Sequence, residues 1–155
     1  MITVLADGGA HVYTGTHTGE ISVTVELHDQ PPPLDIDYWQ DVVEVSVPAP
    51  TGQLRVGGLT AETETESLLP SLSHAGPGTY RLRVHARGRD GAASADESHD
   101  GEAAGEYADD DSDGAEDHTD PTDEFLIAVW PAPEAPAIHH RLTGAFGAEL
   151  RAAAP

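Results

Sequence analysis

Between Gly78 and Asp90 the chain reads Gly-Thr-Tyr-Arg-Leu-Arg-Val-His-Ala-Arg-Gly-Arg-Asp, and this run constrains the fold more than any other. Tyr80, Leu82, Val84 and Ala86 alternate with Arg81, Arg83, His85 and Arg87. A period of two sends successive side chains to opposite faces of an extended strand, so one face is apolar and the other cationic. Pro77-Gly78 before the run and Gly88 after it supply turns that bound it. An apolar strand face must be buried against other elements, so the remainder of the chain has to provide them.

Candidates lie on both sides. Ile2–Leu5 and His11–Thr14 flank Asp7-Gly8-Gly9 as the arms of a hairpin, and Glu20–His28 alternates Ile21, Val23, Val25 and Leu27 with polar residues. Pro31-Pro32-Pro33 cannot continue a ladder and makes an extended crossing. From Trp39 to Val47 the set Val43, Val45, Val47 opposes Val42, Glu44, Ser46, and Gln53–Val56 is a short strand candidate. Thr60–Leu69 alternates Thr and Glu, as a solvated edge strand or a loop would. Phe125-Leu-Ile-Ala-Val-Trp130 is apolar at every position, the mark of a strand covered on both faces, and Pro131 to Pro136 stops it. This strand is expected to pair with Gly78–Gly88 as an antiparallel hairpin.

Ala92 to Asp123 has a different character. It consists largely of Asp, Glu, Ala, Ser and Gly, contains no Arg, and holds about half of the chain's acidic residues. Such a segment buries too little apolar surface to offset its ordering entropy. The expected architecture is therefore all-β: an antiparallel β-sandwich or jelly-roll-like domain of about seven strands. Residues 1–90 and 124–137 form the single domain, 91–123 form an acidic disordered loop between the last two strands, and 138–155 form a tail with a short helix after Gly147.

Charge limits the function. With 28 acidic residues against seven basic ones, the net charge is −21, which disfavours nucleic acid and anionic membrane and favours a basic protein as partner. All seven basic residues are Arg and there is no Lys, a skew consistent with a GC-rich coding sequence. No cysteine is present, so disulfides, thiolate metal sites and cysteine nucleophiles are excluded. The chain starts without a basic-then-apolar leader and has no run long enough for a membrane span, from which a cytoplasmic location is expected.

Thr14-Gly-Thr-His-Thr-Gly-Glu20, Trp39-Gln-Asp-Val-Val-Glu-Val-Ser46, the Gly78–Asp90 run and Phe125-Leu-Ile-Ala-Val-Trp-Pro-Ala-Pro133 occur in this order. In these blocks the chain resembles an uncharacterised family of small actinobacterial, Streptomyces-like proteins. The resemblance implies a compact β domain and a host type, and it carries over no catalytic residue.

The cationic face of Arg81, Arg83, His85 and Arg87 is the first candidate site, because guanidinium groups suit phosphate, carboxylate or an acidic protein surface. The plainer reading pairs these groups with Glu20, Glu26 and Glu44 on neighbouring strands, and a third pairs them with the acidic loop. Asp109, Asp111 and Asp113, with Gly114 and with Asp117 and Asp120 at the ninth and twelfth positions, match a calcium loop. Asp120 is shorter than the Glu that usually closes such a loop, and in so acidic a run a solvated segment is the plainer reading. His17, beside His11 across the Thr14-Gly15 turn, is a candidate ligand or base. Trp39 beside the prolines is either a protein-binding anchor or the closure of a core edge. No nucleophile elbow, P-loop or dinucleotide fingerprint is present.

The expectation is a non-enzymatic, cofactor-free binding module of inhibitor or immunity type, a monomer or weak dimer. One alternative is divalent-cation binding through Asp109 to Asp120. The other is a small-ligand binder or enzyme using His17, His85 and the arginines.

Overall fold

The computed structural model describes residues 2–5, 8–17, 20–58, 69–91 and 123–153. Runs of alternating or β-branched residues form its strands: β1 (Ile2–Val4), β2 (Ala10–Val12), β3 (Ile21–Leu27), β4 (Asp41–Ala49), β5 (Gly78–Arg87), β6 (Asp123–Pro131) and β7 (Ile138–Leu142). A helix, α1 (Ala145–Ala153), follows β7. Among the described residues the fold is thus mostly β, with seven strands in two sheets and no barrel. No described helix is long and apolar enough to cross a membrane.

β1 and β2 form a hairpin, Ile2 opposite Val12. The other five strands make one sheet in the order β3-β6-β5-β4-β7. The long run pairs as expected: β5 and β6 are antiparallel, with Leu82 opposite Val129 and Arg87 opposite Glu124. β4 flanks β5 on its other side, Glu44 opposite Arg83.

Several expectations are corrected. β3 runs parallel to β6, so the sheet is mixed rather than wholly antiparallel. β5 and β6 are not the last two strands, because Ile138–Leu142 pairs with β4 as β7 and the helix begins at Ala145. Asp123 belongs to β6 rather than to the acidic loop, and Gln53–Val56 is an irregular stretch with no strand partner among the described residues. Alternation could not reveal β7, since Ile138-His-His-Arg-Leu142 has apolar residues only at its ends and the edge position asks for no more.

The apolar face of the sheet holds the core. Val43, Val45 and Val47 of β4, Tyr80, Leu82 and Val84 of β5, and Phe125, Ile127 and Val129 of β6 form one cluster. Ile2, Ala10 and Val12 of the hairpin, with Leu54, Val56 and Leu72, cover it. Val47 and Val129 are completely buried, and each stabilises the fold by roughly 1.5–3 kcal/mol relative to exposure. Tyr80 is buried with its hydroxyl satisfied, donating to the Gly76 carbonyl at 2.7 Å and accepting from the Ala75 N–H at 3.0 Å.

Candidate functional site

Three features of the scaffold bear on function: the opposite, polar face of the sheet, a segment that crosses it, and the end where α1 docks.

Over β5 the polar face is not open to solvent. Arg81, Arg83 and His85 are only 3%, 6% and 4% exposed. Glu44, opposite Arg83 across β4 and β5, gathers the two arginines: Arg81 donates to Oε1 from Nε at 3.0 Å and Nη2 at 2.8 Å, and Arg83 Nε donates to Oε2 at 3.2 Å. His140 Nε2 stands 3.2 Å from the same Oε2. Two guanidinium groups exceed one carboxylate, and backbone carbonyls accept their remaining protons. Arg83 donates to Pro32 and Pro33 at 3.0 and 3.3 Å, and Arg81 to Ala135 and Pro136 at 2.8 and 3.1 Å. Proline suits this role because it brings an acceptor without an N–H that would itself need a partner.

The expectation of a ligand-binding cationic strip is corrected accordingly. Arg81 and Arg83 are consumed by Glu44 and by the proline-rich crossings, and His85 packs its ring 5.4 Å from Trp39 while its Nδ1 lies 3.1 Å from the Leu126 carbonyl. Arg87 is partly exposed, pairs with Glu124 (Nε to Oε2, 2.8 Å) and stacks 3.9 Å from the Tyr38 ring. That hydrogen bond holds its guanidinium more firmly protonated than usual. Trp39 is buried at 8% exposure against His85 and Tyr38 on the polar face, apart from the apolar core, and offers no anchor; its neighbour Tyr38 is 62% exposed. His17 is exposed in the loop after β2, and His11 is exposed on β2 itself. Asp109, Asp111, Asp113 and Asp120 lie outside the described residues, and among those described no group of three His, Asp or Glu side chains is placed to hold a metal ion.

Protonation of this layer is directional. Burial alone would raise the Glu44 carboxyl, but hydrogen bonds from Arg81, His140 and Arg83 outweigh it and hold the group below its ordinary 4.5. Burial pushes His85 below its ordinary 6.5 against the opposing effect of the Leu126 carbonyl, and Arg83 adds to the push. A histidine depressed on folding binds fewer protons folded than unfolded, so its stabilisation is full above pH 6.5 and declines as pH falls towards its folded value. Glu44 contributes fully above 4.5 and loses its contribution as pH falls through its folded value. Unfolding free energies measured from pH 8 to about pH 2 are expected to fall in two limbs, the first with a slope up to about 1.4 kcal/mol per pH unit. His85→Asn, which keeps a donor for Leu126, is expected to flatten the first limb only; an unchanged first limb would refute the assignment.

The crossing segment 31–38 is held from beneath. Arg83 grips the Pro32 and Pro33 carbonyls, Arg141 Nη1 donates to the Ile36 carbonyl at 2.9 Å, and Arg87 supports Tyr38. Asp35 and Asp37 point to solvent between Leu34, 47% exposed, and Tyr38.

At the far end of β4, Asp41 forms a buried ion pair with Arg89 and accepts from the Gly144 N–H at 3.1 Å. Gly88, with φ of +85°, breaks the alternation of β5 just before Arg89. Asp90 accepts from the Phe146 and Ala145 N–H groups at 2.9 and 3.2 Å and so caps α1 from a distant part of the chain. Asp123 is fully buried, with Oδ2 taking the Gly15 and Thr16 N–H groups at 2.7 and 3.2 Å.

None of Asp41, Arg89 or Asp123 was singled out by sequence. A signal existed: Asp41 is in phase with Val43, Val45 and Val47, and Asp123 with Phe125, Ile127 and Val129. An acid on the apolar phase of a strand must be buried with partners or lie beyond the core. The chain matches no family model, no curated protein and no solved structure.

Proposed function

We propose that this protein is a non-enzymatic, monomeric binding module that covers a basic surface on a protein partner, as an inhibitor or immunity protein does. The observation that carries the reading is where the cations are. Five of the seven arginines, 81, 83, 87, 89 and 141, are engaged by Glu44, Glu124, Asp41 and backbone carbonyls. Most of the positive charge is thereby paired within the fold, and a chain of net charge −21 presents a largely anionic exterior. Such a field accelerates encounter with a cationic partner and opposes self-association.

Segment 31–38 is the contact surface this reading favours. Asp35 and Asp37 supply charge, Leu34 and Tyr38 supply apolar area, and the arginines beneath pre-order the backbone so that little entropy is lost on binding. The scaffold reads as a reduced sandwich, the β1–β2 hairpin standing in for a second sheet.

The test is retention of a partner from source cells on the full chain at low salt, its release at high salt, and measurement with the purified partner. Asp35→Asn with Asp37→Asn is expected to slow association roughly tenfold at low salt with little effect on dissociation, and Tyr38→Ala to cost about 2 kcal/mol of affinity. Recovery of no basic protein at low salt, or a complex indifferent to all three substitutions, would overturn the proposal.

A further inference from the structure

On the apolar face of the sheet, between the hairpin, the ends of β4 and β5, β7 and α1, lies a cavity of about 270 Å³. Val12, Val43, Val84 and Leu142 form its apolar wall, and Asp41, Arg89 and Arg151, with His139, its polar lining. A cavity of roughly 150 Å³ with apolar walls stays dry and accepts benzene, so this one has room for about ten non-hydrogen atoms.

The polar end has an unbalanced charge. Asp41 and Arg89 neutralise one another in their buried pair. Arg151, from the last turn of α1, is drawn to the same place: a Cβ built on Gly147 would stand 2.6 Å from Asp41 Oδ2 and 3.1 Å from Arg151 Nη1. Among the described residues Arg151 makes no hydrogen bond or ion pair with any other group. Two guanidinium groups and one carboxylate leave a single positive charge beside an apolar wall, in a protein whose other cations are mostly engaged internally.

We infer that this cavity is a binding site for a small amphipathic carboxylic acid, its carboxylate on Arg151 and its hydrocarbon chain along Val12, Val43, Val84 and Leu142. A carboxylate supplies the missing charge and accepts charge-assisted hydrogen bonds from a guanidinium. A chain of about eight carbons fills the apolar part. Chemistry of this kind sets the site apart from segment 31–38, which would repel an anion.

Titration of the full chain with octanoate, followed by calorimetry and by amide NMR shifts, tests the inference. Saturable one-to-one binding is expected, with shifts centred on Val43, Val84 and Leu142, and octan-1-ol binding at least about tenfold more weakly. Arg151→Gln is expected to weaken octanoate about tenfold while leaving octanol unchanged, and Arg151→Lys to restore part of the loss. The alcohol comparison on the unaltered chain decides the matter even where a variant folds poorly. Absence of saturable binding at millimolar octanoate, equal binding of acid and alcohol, or shifts confined to Leu34–Tyr38 would overturn it.

Discussion

Glu44→Gln is expected to destabilise the fold by about 3–5 kcal/mol, a large part of the roughly 5–15 kcal/mol that a domain has in total. Glu44 lies between Arg81 and Arg83, whose side chains are 4% and 7% exposed, and it accepts hydrogen bonds from both. Glutamine keeps the shape but removes the charge and turns one acceptor into a donor facing guanidinium N–H groups. Two cations would remain buried with only neutral acceptors, backbone carbonyls and the Ser46 hydroxyl, to compensate them, and the penalty comes from that residue of uncompensated charge. Urea denaturation at pH 7 measures the effect. Glu26→Gln serves as the comparison: Glu26 meets His28 at 49% exposure and is expected to change stability by less than about 0.5 kcal/mol. Replacing Glu44, Arg81 and Arg83 together with Leu and Met is expected to cost far less than Glu44→Gln alone, since removing every charge removes the uncompensated one. A Glu44→Gln protein as stable as the parent would mean that water reaches this layer.

Gly15→Ala is the second large effect, expected to cost about 3 kcal/mol, the upper end of what overpacking usually costs. A Cβ on Gly15 would collide with the carbonyl oxygen of Arg89, and would stand 2.9 Å from the carbonyl carbon and Cα of that residue. These are backbone atoms, so no rotamer change relieves the contact. Displacing the loop would also pull the Gly15 and Thr16 N–H groups from Asp123 Oδ2, leaving a buried carboxylate whose other oxygen, Oδ1, already has no hydrogen-bond partner among the described residues. Calorimetric unfolding is expected to show the loss, whereas Gly57→Ala, where a Cβ meets nothing within 4 Å, is expected to be neutral. Equal melting temperatures for the two variants would show that the approach of the loop to Arg89 is looser than described.

Much of the sheet was legible because burial on one face imposes alternation. Gly78–Arg87, Ile21–Leu27 and Asp41–Ala49 carry that pattern, and Asp123–Pro131 carries the continuous apolar run of a strand covered on both sides. Direction was not legible: β3 and β6 are parallel, and nothing in the side-chain period of either strand records which way its neighbour runs. β7 escaped because an edge strand beside a polar layer needs few apolar residues.

The candidate sites follow the same division. Composition by itself determined that the protein is strongly anionic and that no cysteine chemistry is available, and residue order that the Arg81, Arg83, His85, Arg87 series shares one strand face. Only the tertiary structure decided that this face is interior, because two proline-rich crossings, remote in sequence from β5, lay carbonyl acceptors across it. Only the tertiary structure, likewise, brought Asp41, Arg89 and Arg151 to one cavity. Alternation reports how side chains divide between the faces of a strand; what covers each face depends on contacts between distant segments, which no local pattern contains.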